Sequence, residues 1–558
     1  MSPSRQVLHG TVALLGASEH SYAAQRLRQA WPMLSWVNSQ DASQVPANVP
    51  QIDLQTTREL AEGAFSITVD RSAGLHITIA GGPFSGVIYG VEELLQRQTR
   101  TRSDAVEVIA TDLAMSPALP YSTFWTWDHS TNWELGQIGH QEIGVFNPYG
   151  KPPSGFLRDY KRVVDFCSSH RIAAVVIYGF LRDSHGGIAA AQELCRYATE
   201  RGVRILPGVA IGAYGGVYWE GDHKYNLSHW LDLNPELASD MERGVGFQLK
   251  DLAFPLNFPR SDYTRHSCPS RRENMDWMED AISWLVETFD VGGVNLEAGD
   301  YGVCGCDLCQ KRRGDREKSS RRAADAEFWS HVDMADNFPR LYDAARSRRD
   351  DLWVYCELQW DNLLDPIAHE PLGSMPEGAI YQHTVNKSYW EQHKTRLTEY
   401  DISSLPTAKN VLRSQFACQW NGDERTQRYN FNAPVFAEMA KTCADIGLQG
   451  LTVWGEPSPY HVSAEFSYLA FGRFTYEPGL DWQQFTAEEI DPRVGGKDAG
   501  SIFLGYMEEL DASDIIDINR LTSIRRDSLD HACQLDGDAS GRWIWLADKA
   551  NQRISMGI

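Results

Sequence analysis

The stretch Val291-Gly-Gly-Val-Asn-Leu-Glu-Ala-Gly-Asp300 decides how this chain is read: an apolar run ends abruptly at Glu297 and Asp300 and leads directly into Cys304-Gly-Cys-Asp-Leu-Cys309. A parallel strand in an α/β barrel is covered on both faces, so it reads as continuously apolar, and acids that follow it stand at the carboxyl-end rim of the sheet. The pattern predicts a strand over Gly292–Glu297. Working outward, seven more segments read the same way: Tyr121–Asp128, Ala173–Phe180, Arg204–Ala213, Leu352–Gln359, Ala379–Val385, Asn410–Cys418 and Leu448–Glu456. Between most of them the apolar residues shift to helical spacing, over Phe156–Ser169, Ile188–Arg201, Glu273–Phe289, Glu327–Arg348 and Val435–Ile446. Eight strands alternating with helices predict an α/β fold, a (β/α)8 TIM barrel spanning residues 113–475.

The flanks read differently. Residues 8–16 and 66–80 are strand-like, and Gly86-Val-Ile-Tyr-Gly-Val-Glu-Glu-Leu-Leu95 carries helical spacing at Val87, Val91, Leu94 and Leu95, which gives a small N-terminal α/β domain over residues 1–112. Pro117 and Pro120 punctuate the junction. Residues 476–558 read as a helical C-terminal region that packs on the barrel or on a second subunit, so a homo-oligomer is compatible with the sequence.

A chain of 558 residues is too long for one core. Its 75 acidic side chains against 52 basic ones leave a net charge of −23, which argues against nucleic acid and anionic membrane surfaces as partners. No window approaches the roughly 18 uninterrupted apolar residues of a membrane span. The early apolar run from Val7 is interrupted by His9, Gly10 and Thr11 and reads as a strand rather than a leader, so a cytoplasmic location is the default expectation, and a secreted or periplasmic one if a leader has been removed. The cysteines, scattered apart from one cluster, suit a reduced protein.

In a barrel the strand ends converge on one mouth. They would bring together Trp127, Asp128 and His129; Tyr178, Arg182 and His185; Tyr214; Glu297 and Asp300; Glu357 and Trp360; Tyr381 and His383; Trp420; and Trp454 with Glu456. Carboxylates, imidazoles and indoles in that mixture suit cleavage of a glycosidic bond, in which one carboxyl group protonates the leaving oxygen and another attacks or stabilises the anomeric carbon. No cofactor is required for such chemistry. Glu297 is the candidate general acid, since it ends an apolar strand whose neighbours Val294 and Leu296 would raise its pKa. Glu357 and Glu456 compete for the second role, with Asp300 and Asp128 behind them. Trp127, Trp360, Trp420 and Trp454 would wall a sugar site, while Asp128, His129, Tyr178, His185, Tyr214, Tyr381 and His383 would bind hydroxyls. Each of these, taken singly, is equally readable as rim packing, a helix cap or a loop-anchoring ion pair. Arg182 suits a substrate carboxylate or sulfate, or else an internal pair with Asp183 or a nearby glutamate that orients the loop.

Cys304, Cys306 and Cys309 form the second specific signal. Three thiols within six residues can hold a structural zinc ion with one further ligand, His331, His266 or Cys268; otherwise they are free thiols. Bound zinc would pin the loop carrying Asp300 and Tyr301. The spacing resembles the zinc site of tRNA-guanine transglycosylases, themselves barrels, although the acidic surface is unsuited to tRNA.

The domain ending in the helix Gly86–Leu95 resembles the N-terminal domain that precedes the barrel in family 20 β-N-acetylhexosaminidases and family 67 α-glucuronidases. Ser463-Ala-Glu-Phe-Ser-Tyr-Leu-Ala-Phe-Gly-Arg-Phe-Thr-Tyr-Glu-Pro-Gly-Leu-Asp-Trp482 is similar to the helix that follows the barrel in glucuronidase-like enzymes. The resemblance implies a glycosidase with an exo-acting pocket, releasing a terminal uronic acid or hexosaminide-like sugar from an oligosaccharide or polysaccharide, and it places the acid at the end of the fourth strand, on Glu297. The hexosaminidase signature at that strand is His-x-Gly-Gly-Asp-Glu. Here Asn295-Leu-Glu-Ala-Gly-Asp300 stands instead, without the adjacent acid pair of acetamido-assisted catalysis. A carbohydrate-binding barrel without catalysis, or a zinc-containing transferase, is the rival reading.

Overall fold

The computed structural model describes residues 6–46, 48–72, 74–109, 112–127, 153–240, 266–297, 304–319, 333–358, 376–405, 409–417, 430–455, 458–511 and 516–557. Eight parallel strands close into a barrel in strict chain order, before a helical C-terminal region and after an N-terminal domain whose described residues form β1 (Gln6–Leu8), β2 (Thr11–Leu15), β3 (Ser35–Ser39), β4 (Gln51–Thr56), β5 (Phe65–Asp70), β6 (His76–Gly81), β7 (Thr99–Thr101), β8 (Val106–Val108) and β9 (Leu113–Met115).

The barrel strands are β10 (Thr123–Trp127), β11 (Ala174–Tyr178), β12 (Arg204–Ala210), β13 (Gly293–Glu297), β14 (Trp353–Leu358), β15 (Ile380–Val385), β16 (Asn410–Ala417) and β17 (Gly450–Gly455). All eight sequence-derived strands are present. Closure is made by β17 on β10, which pairs Thr123 with Thr452 and Trp125 with Trp454. Around the sheet lie helices that include Pro153–Ser169, Gly187–Thr199, Arg272–Thr288, Phe338–Arg346, Lys387–Thr398 and Ala433–Ile446. The sequence places their limits: Ala433–Ile446 has Pro434 in its first turn, where no N–H is missed, and Gly447 just beyond its end at φ +85. Asn386, at the carboxyl end of β15, accepts from the Tyr389 N–H and so caps the helix Lys387–Thr398. The helix expected over Glu327–Arg348 is seen as Phe338–Arg346 among the described residues.

The N-terminal domain departs from the sequence reading in two places. Residues 66–80 form a hairpin of Phe65–Asp70 antiparallel to His76–Gly81 rather than one strand, and the turn between them uses Gly74 at φ +128. Residues 8–16 are two strands, Gln6–Leu8 and Thr11–Leu15, broken at Gly10 (φ +64). The six-stranded sheet of this domain takes its last edge strand from Leu113–Met115.

The domains are tied by buried ion pairs. Arg204 at the start of β12 grips Glu62 with two bonds of 2.9 Å. Glu93, on the helix Gly86–Gln96, accepts from Arg97 and Gln98 at 2.9 Å and from Arg171 of the barrel layer, and Arg97 pairs with Glu489 of the C-terminal region. Phe485, Phe503 and Trp543 of that region belong to the same apolar core as the barrel helices, so residues beyond 476 pack on the barrel.

Candidate active site

Glu297 is the last residue of β13, and Glu357 lies directly opposite it in register on β14. Side chains alternate across a strand, so Asn295 and Glu297 share one face, as do Tyr355 and Glu357. That face is the barrel interior, because Asn295 Nδ2 donates to Glu357 Oε2 at 3.0 Å and Gln382 Nε2 donates to Asn295 Oδ1 at 3.0 Å. Both glutamates are buried, at 5% and 3% exposure.

Glu357 is enclosed by donors from four other strands. Arg413 of β16 pairs with Oε1 at 2.5 Å, while Trp125 Nε1 of β10 (3.2 Å), the Tyr178 hydroxyl of β11 (3.4 Å) and Asn295 of β13 reach Oε2. Arg413 also donates from Nε to Thr384 at 2.8 Å, and its guanidinium lies over the rings of Trp125 and Trp454, 4.9 and 5.1 Å from their centroids. This network fills the barrel centre beneath the strand ends.

An aromatic wall continues from it. Trp125 lies 4.3 Å from Trp454 and 4.6 Å from Tyr178; Trp127 follows at 5.3 Å from Tyr178 and meets Tyr214 edge-on at 5.4 Å. Tyr214 stacks on Trp219 (5.5 Å, 8° between planes) and holds φ +53, a left-handed conformation uncommon for a tyrosine, between Ala213 and the pair Gly215-Gly216. Arg182 lies over Trp219 and donates to its carbonyl at 3.4 Å, while Asp183 is engaged by the Tyr218 hydroxyl at 2.5 Å. His185 stacks on Phe156 at 4.6 Å, at the start of the first barrel helix. Arg413 Nη1, Trp219 Nε1 and Trp454 Nε1 are buried donors that meet no acceptor among the described residues.

Two assignments are corrected. Tyr381 and His383 flank Gln382 on β15, and since Gln382 points inward to Asn295, both must face the helical layer. His383 Nε2 bonds to Asn410 Oδ1 at 2.9 Å, and Tyr381 is sealed in the apolar core, where burial pushes its hydroxyl pKa far up. Asp128, His129, Asp300, Trp360, Trp420, Glu456 and His331 lie outside the described residues.

The residues that sequence reasoning passed over are Arg413, Asn295 and Trp219. Arg413 carried a legible signal, a lone cation in the strand Asn-Val-Leu-Arg-Ser-Gln-Phe-Ala417.

Away from the barrel centre, Cys268 joins Cys304, Cys306 and Cys309, with the four sulfur atoms all within 4.8 Å of one another. Of the proposed fourth ligands among the described residues, Cys268 is the one the fold delivers. These four thiols are the group among the described residues that could hold a metal ion.

Solved structures share this architecture. The chain has the fold of the β-N-acetylhexosaminidases. The enzyme of that name from Bacteroides fragilis matches with a TM-score of 0.53 at 12% identity, over 86% of this chain and 90% of that one. An inactive mutant of a family 20 exo-β-N-acetylglucosaminidase from Vibrio harveyi matches with a TM-score of 0.53 at 11% identity, over 87% of this chain and 73% of that one. The family 20 β-N-acetylhexosaminidase from Streptomyces coelicolor matches at 0.50 with 13% identity, over 87% and 91%. No protein-family model and no curated protein sequence matches the chain.

Proposed function

We propose that the protein is a glycoside hydrolase that releases a terminal sugar, a uronic acid or a hexosaminide-like residue, from an oligosaccharide or polysaccharide, with Glu297 as general acid. The observation that carries this reading is the position of Glu297: the terminal, inward-facing and buried residue of the fourth strand in a closed parallel barrel. Burial is the environment that keeps a carboxyl group protonated for donation to a leaving oxygen. The shared fold of the hexosaminidases supports the reaction class.

In this account the substrate lies against Trp127, Tyr214, Trp219 and Trp454, whose apolar faces suit the C–H face of a pyranose. Buried donors without acceptors cost free energy, and the indole N–H groups of Trp219 and Trp454 together with Arg413 Nη1 supply what an oxygen-rich ligand would accept. Glu297 gives its proton to the glycosidic oxygen as the C–O bond breaks, and water completes the hydrolysis at the anomeric carbon. Glu357, with both oxygens engaged, acts as a positioning residue that fixes Arg413, Tyr178 and Trp125 rather than as the acid. The second reacting carboxylate is then Glu456 or Asp300. The paired-carboxylate reaction uses no cofactor.

The test is a panel of 4-nitrophenyl α- and β-glycosides, including uronides and N-acetylhexosaminides, offered to the purified chain. Release from one of them fixes the sugar and the anomer; ligand binding without turnover anywhere in the panel and on natural oligosaccharides would favour the binding-scaffold reading.

A further inference from the structure

We propose that Cys268, Cys304, Cys306 and Cys309 bind one zinc ion as a four-thiolate structural site that staples the segment after β12 to the segment after β13, the strand that ends in Glu297. Cys268 is separated from the other three by the whole of the helix Arg272–Thr288 and by β13, so the gathering is tertiary and not a consequence of local spacing.

The geometry is that of a metal cage. Cys268 Sγ lies 3.6 Å from Cys309 Sγ, 3.7 Å from Cys304 Sγ and 3.7 Å from Cys306 Sγ. A tetrahedron with Zn–S bonds of about 2.3 Å has edges of about 3.8 Å. A disulfide needs sulfurs about 2.05 Å apart, so no pair is bridged and none is at bonding distance. Three of the four cysteines are fully buried while Cys306 is half-exposed, which leaves an entry path from solvent.

The surroundings are arranged for thiolates. Cys306 immediately precedes the helix Asp307–Ser319, and Cys309 sits in its first turn, where the positive end of the helix dipole favours negative sulfur. The Asp240 backbone N–H donates to Cys304 Sγ at 3.2 Å, and the Ser270 hydroxyl lies 3.1 Å from Cys309 Sγ. Hydrogen bonds of this kind orient metal-bound sulfur and temper its charge.

A scaffold holds the backbone at Cys268 and Cys304. Arg313 donates twice to the Cys304 carbonyl at 3.1 Å and pairs with buried Asp333 at 2.8 Å. Asn274 Nδ2 donates to the Cys268 carbonyl at 3.0 Å and to Leu237 at 2.8 Å, and the Gly305 N–H reaches the Asp240 carbonyl at 2.8 Å. The site is thus built from three segments, near 237–240, 266–274 and 304–313. Zinc is favoured because four soft, closed thiolate ligands in a tetrahedral array suit it, and because such a site leaves no open position for substrate. On binding, the ion displaces the thiol protons to solvent.

The experiment is metal analysis of the full chain, expressed in medium containing both zinc and iron and purified without chelator. The expected result is one zinc per chain, falling to less than a tenth of that in Cys268→Ser and Cys306→Ser, and unchanged in Cys533→Ser, whose thiol is exposed and remote. Should the first two variants not fold, wild-type chain grown with cobalt in place of zinc reports independently: a tetrahedral four-thiolate site gives intense visible and thiolate-to-cobalt charge-transfer absorption. Iron in place of zinc, four freely titratable thiols with no metal, or a cobalt protein without those bands would each overturn the proposal. Because none of these readouts involves glycoside turnover, failure here leaves the hydrolase reading standing, and the reverse also holds.

Discussion

Glu297 and Glu357 stand side by side in register on adjacent parallel strands, and Glu357 is gripped by an arginine two strands away, Arg413, at 2.5 Å. Glu357 is thereby a carboxylate built into the barrel's interior, while Glu297 is the residue that ends its strand. Removing one partner of a buried ion pair leaves the other charge uncompensated and costs about 3–5 kcal/mol. Glu357→Gln should lose stability on that scale in urea denaturation, and a loss below about 1 kcal/mol, the usual range for substitutions outside structural networks, would contradict its interior role.

Tyr178 can reach Glu357 because its register partner is Gly208. A Cβ at residue 208 would sit 2.3 Å from the Tyr178 ring. Gly208→Ala should lower stability by about 1–3 kcal/mol through overpacking, and reduce turnover as well, because the phenol must leave Glu357. An unchanged melting temperature would show that the ring moves freely and is not a fixed part of the site.

The barrel was legible because parallel strands covered on both faces read as unbroken apolar runs, and Val294 and Leu296 lead straight to Glu297. That same continuity hid the facing of β15: all six residues of Ile380–Val385 are buried, so no polar alternation marks inside from outside. Tyr381 and His383 were consequently placed one residue out of phase, and Gln382 is the inward side chain. Cys268 could be named as a ligand candidate but not chosen, since only folding brings it to Cys304. The hairpin at 65–81 was marked by Asp70-Arg-Ser-Ala-Gly74, a turn-forming cluster inside what looked like one long strand.

Acid should loosen the seam between the N-terminal domain and the barrel. Although burial alone would raise it, the Glu93 carboxyl is held down at about 2 by Arg171 and Arg97, with Gln98 also donating. Its folded pKa lies below the ordinary value of 4.5, so its contribution is complete above that value and is lost as pH falls toward 2. The contribution is on the order of 3 kcal/mol. Urea midpoints measured from pH 6 to pH 2.5 should fall more steeply for the parent chain than for Glu93→Gln; parallel curves would contradict the assignment.

The central claim is that Glu297 donates the proton to the leaving oxygen, and the direct measurement is turnover by Glu297→Gln on two substrates that share the cleaved sugar but differ in leaving group. A sugar or alkyl alcohol leaves only with protonation, whereas 4-nitrophenolate leaves largely unaided, so general-acid catalysis has a leaving-group signature. The account predicts a loss of about a thousandfold for the sugar leaving group, a much smaller one for the nitrophenyl glycoside, and unchanged ligand affinity. Equal losses on both substrates, or retention of turnover on both, would contradict it.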